Sequence, residues 1–300
     1  MGFVTMNKLI CAAVLVLVAC GPTPLEQFRA ASPSSQGLEV SMPSGNTTKQ
    51  GLGDDSKPAL MPGVTLVATL LVNGGVGLTL GVVAAIVSEE PAVLTEDHAE
   101  WGPLTQPLWK HSFRLKMDRA GEKSVKYVME RRAKSSTSDA DYEVVLTGQH
   151  TFGELRAGSG DFVLRDVDNK TSAEVTYARN AKKDLEVKVG FRGGTPSDYA
   201  YSQVEGGEGS FEFRVASDFV TKTSAKELLT VKSRWLQTGA GRADVTGTDG
   251  DLTTEARFTE CWNADLNRTH YADTLGLFPT EGSADACAFK DASYATLIGP

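Results

Sequence analysis

The sequence predicts a mainly β fold: an antiparallel meander of about ten strands forming a curved half-barrel, barrel or sandwich, with one apolar N-terminal helix packed on it. Three observations predict it. Apolar and charged residues alternate with a period of two in many short runs from Leu108 onward. Gly, Asp, Asn, Ser or Pro flanks each run. One long uncharged stretch, Val64 to Val87, precedes them.

The strands follow from the alternation. Phe113, Leu115 and Met117 alternate with Arg114, Lys116 and Asp118, and Val125, Tyr127 and Met129 with Lys126 and Glu130. The pattern recurs at Tyr142–Leu146, Phe162–Leu164, Val175–Tyr177, Leu185–Phe191, Tyr199–Tyr201, Phe211–Val215, Leu229–Trp235, Ala243–Val245 and Ala256–Trp262. Successive side chains of a strand point to opposite faces, so each run has one apolar face and one charged face. Beyond Cys261 the alternation fades. Thr269–Leu277 and Asp285–Leu297 read as loops with at most a short helix.

The helix follows from length and composition. Val64–Val87 has no charge, and Pro62 suits the first turn of a helix. Its length also qualifies it as a transmembrane candidate. Asn73, Gly74, Gly75, Gly77, Gly81 and three threonines argue instead for a buried helix on a sheet, kinked near the glycine pair. Gly77 and Gly81 have the spacing of close helix packing, a common pattern of low specificity.

Ahead of these lie two segments of another kind. Residues 1–19 read as a signal peptide, with Lys8 before an apolar run from Leu9 to Val18 that is too short to span a membrane. Residues 20–59 are rich in Ser, Pro, Gly, Thr and Gln, a composition that predicts a disordered tether. Residues 60–300 then form a single domain.

Leu17-Val18-Ala19-Cys20 resembles the bacterial lipobox, right after an apolar run where that motif is specific. The resemblance implies cleavage before Cys20 and acyl chains, palmitate among them, on that cysteine. It also implies a lipid-anchored protein of the bacterial cell envelope. An ordinary secretory signal or an uncleaved anchor is the alternative. Gly21 is compatible with sorting to an outer membrane. With Cys11 in the leader and Cys20 lipidated, Cys261 and Cys287 remain as a pair. In an oxidising compartment they read as a disulfide, closing a loop of about 27 residues for roughly 3–4 kcal/mol. A zinc site has less support, since neither cysteine has a CxxC or HxxxH neighbour.

Net charge is −8. Losing Lys8 with the leader leaves 29 of the 30 basic residues against 38 acidic ones. Nucleic acid is therefore a poor partner, because phosphate contacts need clustered Lys and Arg. Charge alone would not hold the chain to anionic lipid either. His98, His111, His150 and His270 stand apart from one another and from the cysteines, and His150 reads as a surface residue near a strand end. There is no GxSxG elbow, P-loop, dinucleotide fingerprint or EF-hand spacing. Nothing announces an enzyme, a metal or a cofactor.

An uncharged helix ahead of a long antiparallel sheet, behind a lipobox, is similar in pattern to envelope lipid-carrier half-barrels, where a curved sheet wraps an apolar cavity plugged by a helix. The segment around Glu260-Cys261-Trp262 also resembles uncharacterised envelope lipoproteins. The likeness implies a lipid or other apolar ligand between helix and sheet, against the inward row Phe113, Tyr127, Tyr177, Phe191, Phe211, Phe213 and Trp235. The alternative is a structural or protein-interaction lipoprotein in which that row is a filled core.

Overall fold

Every run that alternates in the sequence is a strand, and all the strands join one antiparallel sheet. The computed structural model describes residues 22–33, 38–42, 57–107, 109–153, 157–166, 169–182, 184–192, 197–204, 207–218, 220 and 223–297. The leader and Cys20 lie outside the described residues.

The strands are β1 (Val93–Leu94), β2 (His98–Leu104), β3 (His111–Gly121), β4 (Ser124–Ala133), β5 (Glu143–Phe152), β6 (Gly158–Arg165), β7 (Thr171–Arg179) and β8 (Leu185–Phe191). There follow β9 (Ser197–Gln203), β10 (Gly209–Ser217), β11 (Glu227–Trp235), β12 (Gly241–Thr248), β13 (Ala256–Trp262), β14 (Arg268–Asp273) and β15 (Glu281–Gly282). Each pairs with its neighbours in sequence, and the order runs linearly from β1 to β15 in an open meander.

Among the described residues fifteen strands replace the expected ten or so. The extra ones carry little alternation. β1 and β15 are two residues each. β2 buries only Ala99 and Trp101 and holds Gly102 and Pro103. Gly102 adopts a positive φ of 98° at an irregularity in the β2–β3 register, where proline is tolerated. β14 occupies a stretch expected to be loop, because Tyr271 is its sole buried side chain.

The apolar face is continuous across the sheet. Met117 lies opposite both Ala99 and Tyr127, Tyr127 opposite Gly148, Gly148 opposite Phe162, and Phe162 opposite Val175. Aromatic rings repeatedly lie over glycines of a neighbouring strand. The pairs are Tyr127 on Gly148, Tyr177 on Gly160, Trp235 on Gly209 and Trp262 on Gly241. At each of these glycines a Cβ would overlap the ring. The large ring then supplies the packing that glycine lacks.

Among the described residues two helices cover this face. α1 (Pro24–Ala31) is built by a capping box: Thr23 Oγ1 accepts from Glu26 N, while Glu26 Oε2 accepts from Thr23 N. It buries Phe28 and Ala31 in the core, and Val40 is buried just beyond. All three fall in the stretch whose composition predicts a tether. Window composition misses this, because one cap and a few apolar anchors suffice to dock a short segment on a preformed sheet.

α2 (Met61–Ser88) is the uncharged stretch, with Pro62 in its first turn. Its axis bends by 47° between Met61–Gly74 and Thr79–Ser88, around the glycines. One face is buried: Met61, Thr65, Ala68, Val72, Val76, Leu80, Val83 and Ile86. The N-terminus has no side-chain cap of its own. Buried Glu260 of β13 serves instead, its Oε2 accepting from Met61 N at 2.6 Å and its Oε1 from Arg268 Nε. At the other end Arg29 donates to the carbonyls of Val87 and Glu89, and Trp101 Nε1 of β2 donates to Glu89 O. The helix is thus a strut fastened near both ends of the sheet. Among the described residues no single helix is long and apolar enough to cross a membrane; the two bent halves together have that length and composition.

The opposite face of β10–β13 is covered as well. Cys261 and Cys287 form the expected disulfide, and residues 283–297 run as an irregular strap with one 3-10 turn at Ala284–Ala286. The strap is held by charge. Asp244, fully buried, accepts from Arg234, Arg242, Thr259 and the Ser293 amide. Arg242 donates to the carbonyls of Phe289 and Lys290, and Glu212 accepts from Thr296 N.

Candidate functional site

The opening under the middle of α2 lies between a segment tied to the helix and the core face of the sheet. Asn73, polar in an otherwise apolar helix, holds the backbone of Val40 in both directions at 3.0 Å, accepting from its N–H and donating to its carbonyl. That pins Leu38 and Glu39 beside the helix. Opposite stand the aliphatic core-face residues of β7 and β8. Between them lies a cavity of about 250 Å³, walled by Val72, Val76 and Leu80 from above and Val175, Val187 and Val189 from below.

Two features of this cavity are not explained by packing. Gly77 lines it, and a Cβ there would meet nothing within 4 Å. Glycine in a helix interior is about 1 kcal/mol less favourable than alanine. The same holds for Gly81, so the spacing of close helix packing is not used. The second feature is Tyr201 of β9, which lines the cavity and is 4% exposed. Its hydroxyl is buried without a hydrogen-bond partner among the described residues. Burial pushes this phenol well above its ordinary range, with Arg179 acting against that and Glu39 with it, so it stays a protonated donor.

Across Leu38 is a second cavity of about 270 Å³, between Ala30, Ser32, Pro33 and Leu38 on one side and β5–β8 on the other. His150 and Tyr177 meet in it, with His150 Nδ1 and Tyr177 Oη 2.9 Å apart. His150 therefore sits in the wall of a cavity and not on the surface its strand-end position suggested. Burial lowers its pKa and keeps the imidazole neutral near pH 7. Burial also pushes Tyr177 up to about 12. Among the described residues no group of three or more His, Cys, Asp or Glu side chains is placed to hold a metal.

The aromatic row expected to meet a ligand does face the core, but it is mostly packed. Tyr127, Phe211, Phe213 and Trp235 are at most 1% exposed. Phe191, Tyr199, Phe211 and Phe213 form a ladder of ring contacts across β8–β10. Phe113 meets Trp109 edge-on. Of the seven, Tyr177 alone lines either of these two cavities, the second one. Sequence reasoning missed Asn73, Gly77 and Tyr201. A polar residue and glycines inside an uncharged helix were the available signal, since each disfavours a helix that is merely packed.

No known protein family, curated protein or solved structure matches this chain.

Proposed function

We propose that this chain is a membrane-anchored envelope lipoprotein, not an enzyme, that holds an apolar ligand between its helix and its sheet in a curled half-barrel. The cavity under α2 carries the reading. Six aliphatic side chains line it, it is partly walled by residues that serve packing poorly, and it is bridged by a helix fastened at both ends. A flat sheet would separate β2 from β13 by roughly 50 Å. A bent helix of 28 residues has a contour of about 42 Å, so its contacts with both strands support curling.

Attachment rests on the lipobox at Cys20. Because α1 begins at Pro24, three residues separate that cysteine from the fold, a reach of roughly 10 Å. Lipid there would hold the domain against the membrane surface. The outward face of α2 suits such a position: Leu66, Val67, Leu70 and Leu71 are each 49–63% exposed.

The alternative, a structural or interaction lipoprotein with no ligand, is favoured by the packed aromatic row. One protein tests both parts. Cys20→Ser in the full chain should move it from the membrane fraction to the soluble envelope fraction. Unchanged fractionation would make α2 the anchor. Native mass spectrometry of the released protein should show a co-purified apolar molecule. A clean mass, with no uptake of a fluorescent fatty acid, overturns the binding reading and leaves the structural one.

A further inference from the structure

We propose that the cavity under α2 is built for a single-chain amphiphile, whose polar end accepts a hydrogen bond from Tyr201 Oη while its chain lies along Val76, Val187 and Val189. This deepens the binding reading above and rests on it.

Three observations converge. At about 250 Å³ the cavity falls just below the usual range for drug-sized ligands, so it suits one chain and not a two-chain lipid. Val72, Val76, Leu80, Val175, Val187 and Val189 give it apolar wall for a chain, and Asn73 and Glu39 add polar groups suited to an amphiphile and not to a pure hydrocarbon. Yet a buried donor, the Tyr201 hydroxyl, is left without a partner among the described residues. Buried polar groups are nearly always paired, and a lone donor in the wall of an apolar cavity is paired most simply by an acceptor on the occupant. An uncharged acceptor fits best, because Glu39 in the cavity wall and Arg179 in the walls beside it act on the Tyr201 hydroxyl in opposite senses and give no clear pull on a charged end. A hydroxyl, ester or amide end meets both conditions.

The test uses the full chain carrying Cys20→Ser, so that no attached acyl group can enter the cavity. The probes are 1-octanol and its near-isosteric hydrocarbon n-nonane, titrated by calorimetry. Wild-type residues at the cavity should bind octanol more tightly than nonane. Tyr201→Phe should weaken octanol five- to tenfold, the loss of one hydrogen bond, and leave nonane unchanged. Gly77→Leu, which puts a better helix former into the open space, should abolish binding of both probes with the thermal midpoint kept or raised.

If octanol binds and Tyr201→Phe leaves its affinity unchanged, the Tyr201 assignment is overturned while the binding reading stands. Unchanged octanol affinity in a folded Gly77→Leu protein would place the ligand elsewhere and overturn the cavity assignment. If neither probe binds, the binding reading itself fails, and this inference with it.

Discussion

The C-terminal strands β10–β13 and the central strands β5–β9 share one sheet, one register and one alternation, yet they are finished in opposite ways. Over β10–β13 both faces are closed. Inside, Trp235 and Trp262 lie over Gly209 and Gly241. Outside, the strap is sealed by a disulfide and by an Asp244 carboxylate whose partners come from β11, β12, β13 and the strap. Over β5–β9 the cover is a bent helix and a short pinned segment, and cavities remain beneath it. The difference lies in what covers each face. The outer face of β10–β13 is tied to the strap through its charges, Asp244 with four partners and Glu212 with Thr296 N. The inner face of β7–β9 meets a bent helix and a segment held through Asn73, and the Tyr201 hydroxyl there has no partner among the described residues.

The comparison can be broken hardest at Asp244. Asp244→Ala would leave Arg234 and Arg242 facing each other under the strap without their shared anion. Loss of one partner from a buried ion network should cost about 3–5 kcal/mol, read as a shift of the urea midpoint. A loss below about 1 kcal/mol would mean that the network is solvated and the strap loosely held.

Opening the disulfide comes next. Cys287→Ser frees a loop whose ends are 26 residues apart, and the chain-entropy model puts the loss at about 3.5 kcal/mol. Limited proteolysis should then cut within residues 283–297 before any site in β5–β9. Cleavage appearing first in β5–β9 would reverse the contrast between the two regions.

The smallest effect has the opposite sign. Gly77→Ala should stabilise by about 0.5–1 kcal/mol, because Gly77 needs no positive φ and a methyl there meets open space. Thermal unfolding measures it. Destabilisation would show that the bend of α2 depends on this glycine, and that the openness over β7–β9 reflects backbone strain.

Much of this architecture was legible beforehand. Alternation located eleven strands because each has one wet and one dry face, and periodicity reports that directly. It failed at β1, β2, β14 and β15, which bury too little to alternate. The helix at 61–88 was legible from its length and lack of charge, and the bend from its glycines. α1 was hidden in a polar stretch, since its stability comes from Phe28 meeting a sheet formed far away in sequence. The candidate site was legible only in outline. An inward aromatic row announces a core face without saying which rings are packed and which border space.

By itself the sequence determined the class of the fold, its direction of travel, the disulfide partners and the uncharged helix. These rest on local periodicity and on counting, which need no third dimension. Tertiary structure alone decided that Glu260 caps α2, that Asp244 closes the outer face, and that Tyr201 borders a cavity with its hydroxyl unpaired. Each of those depends on partners brought together from distant strands. Burial, unlike alternation, is a property of what packs against a residue and not of the residue.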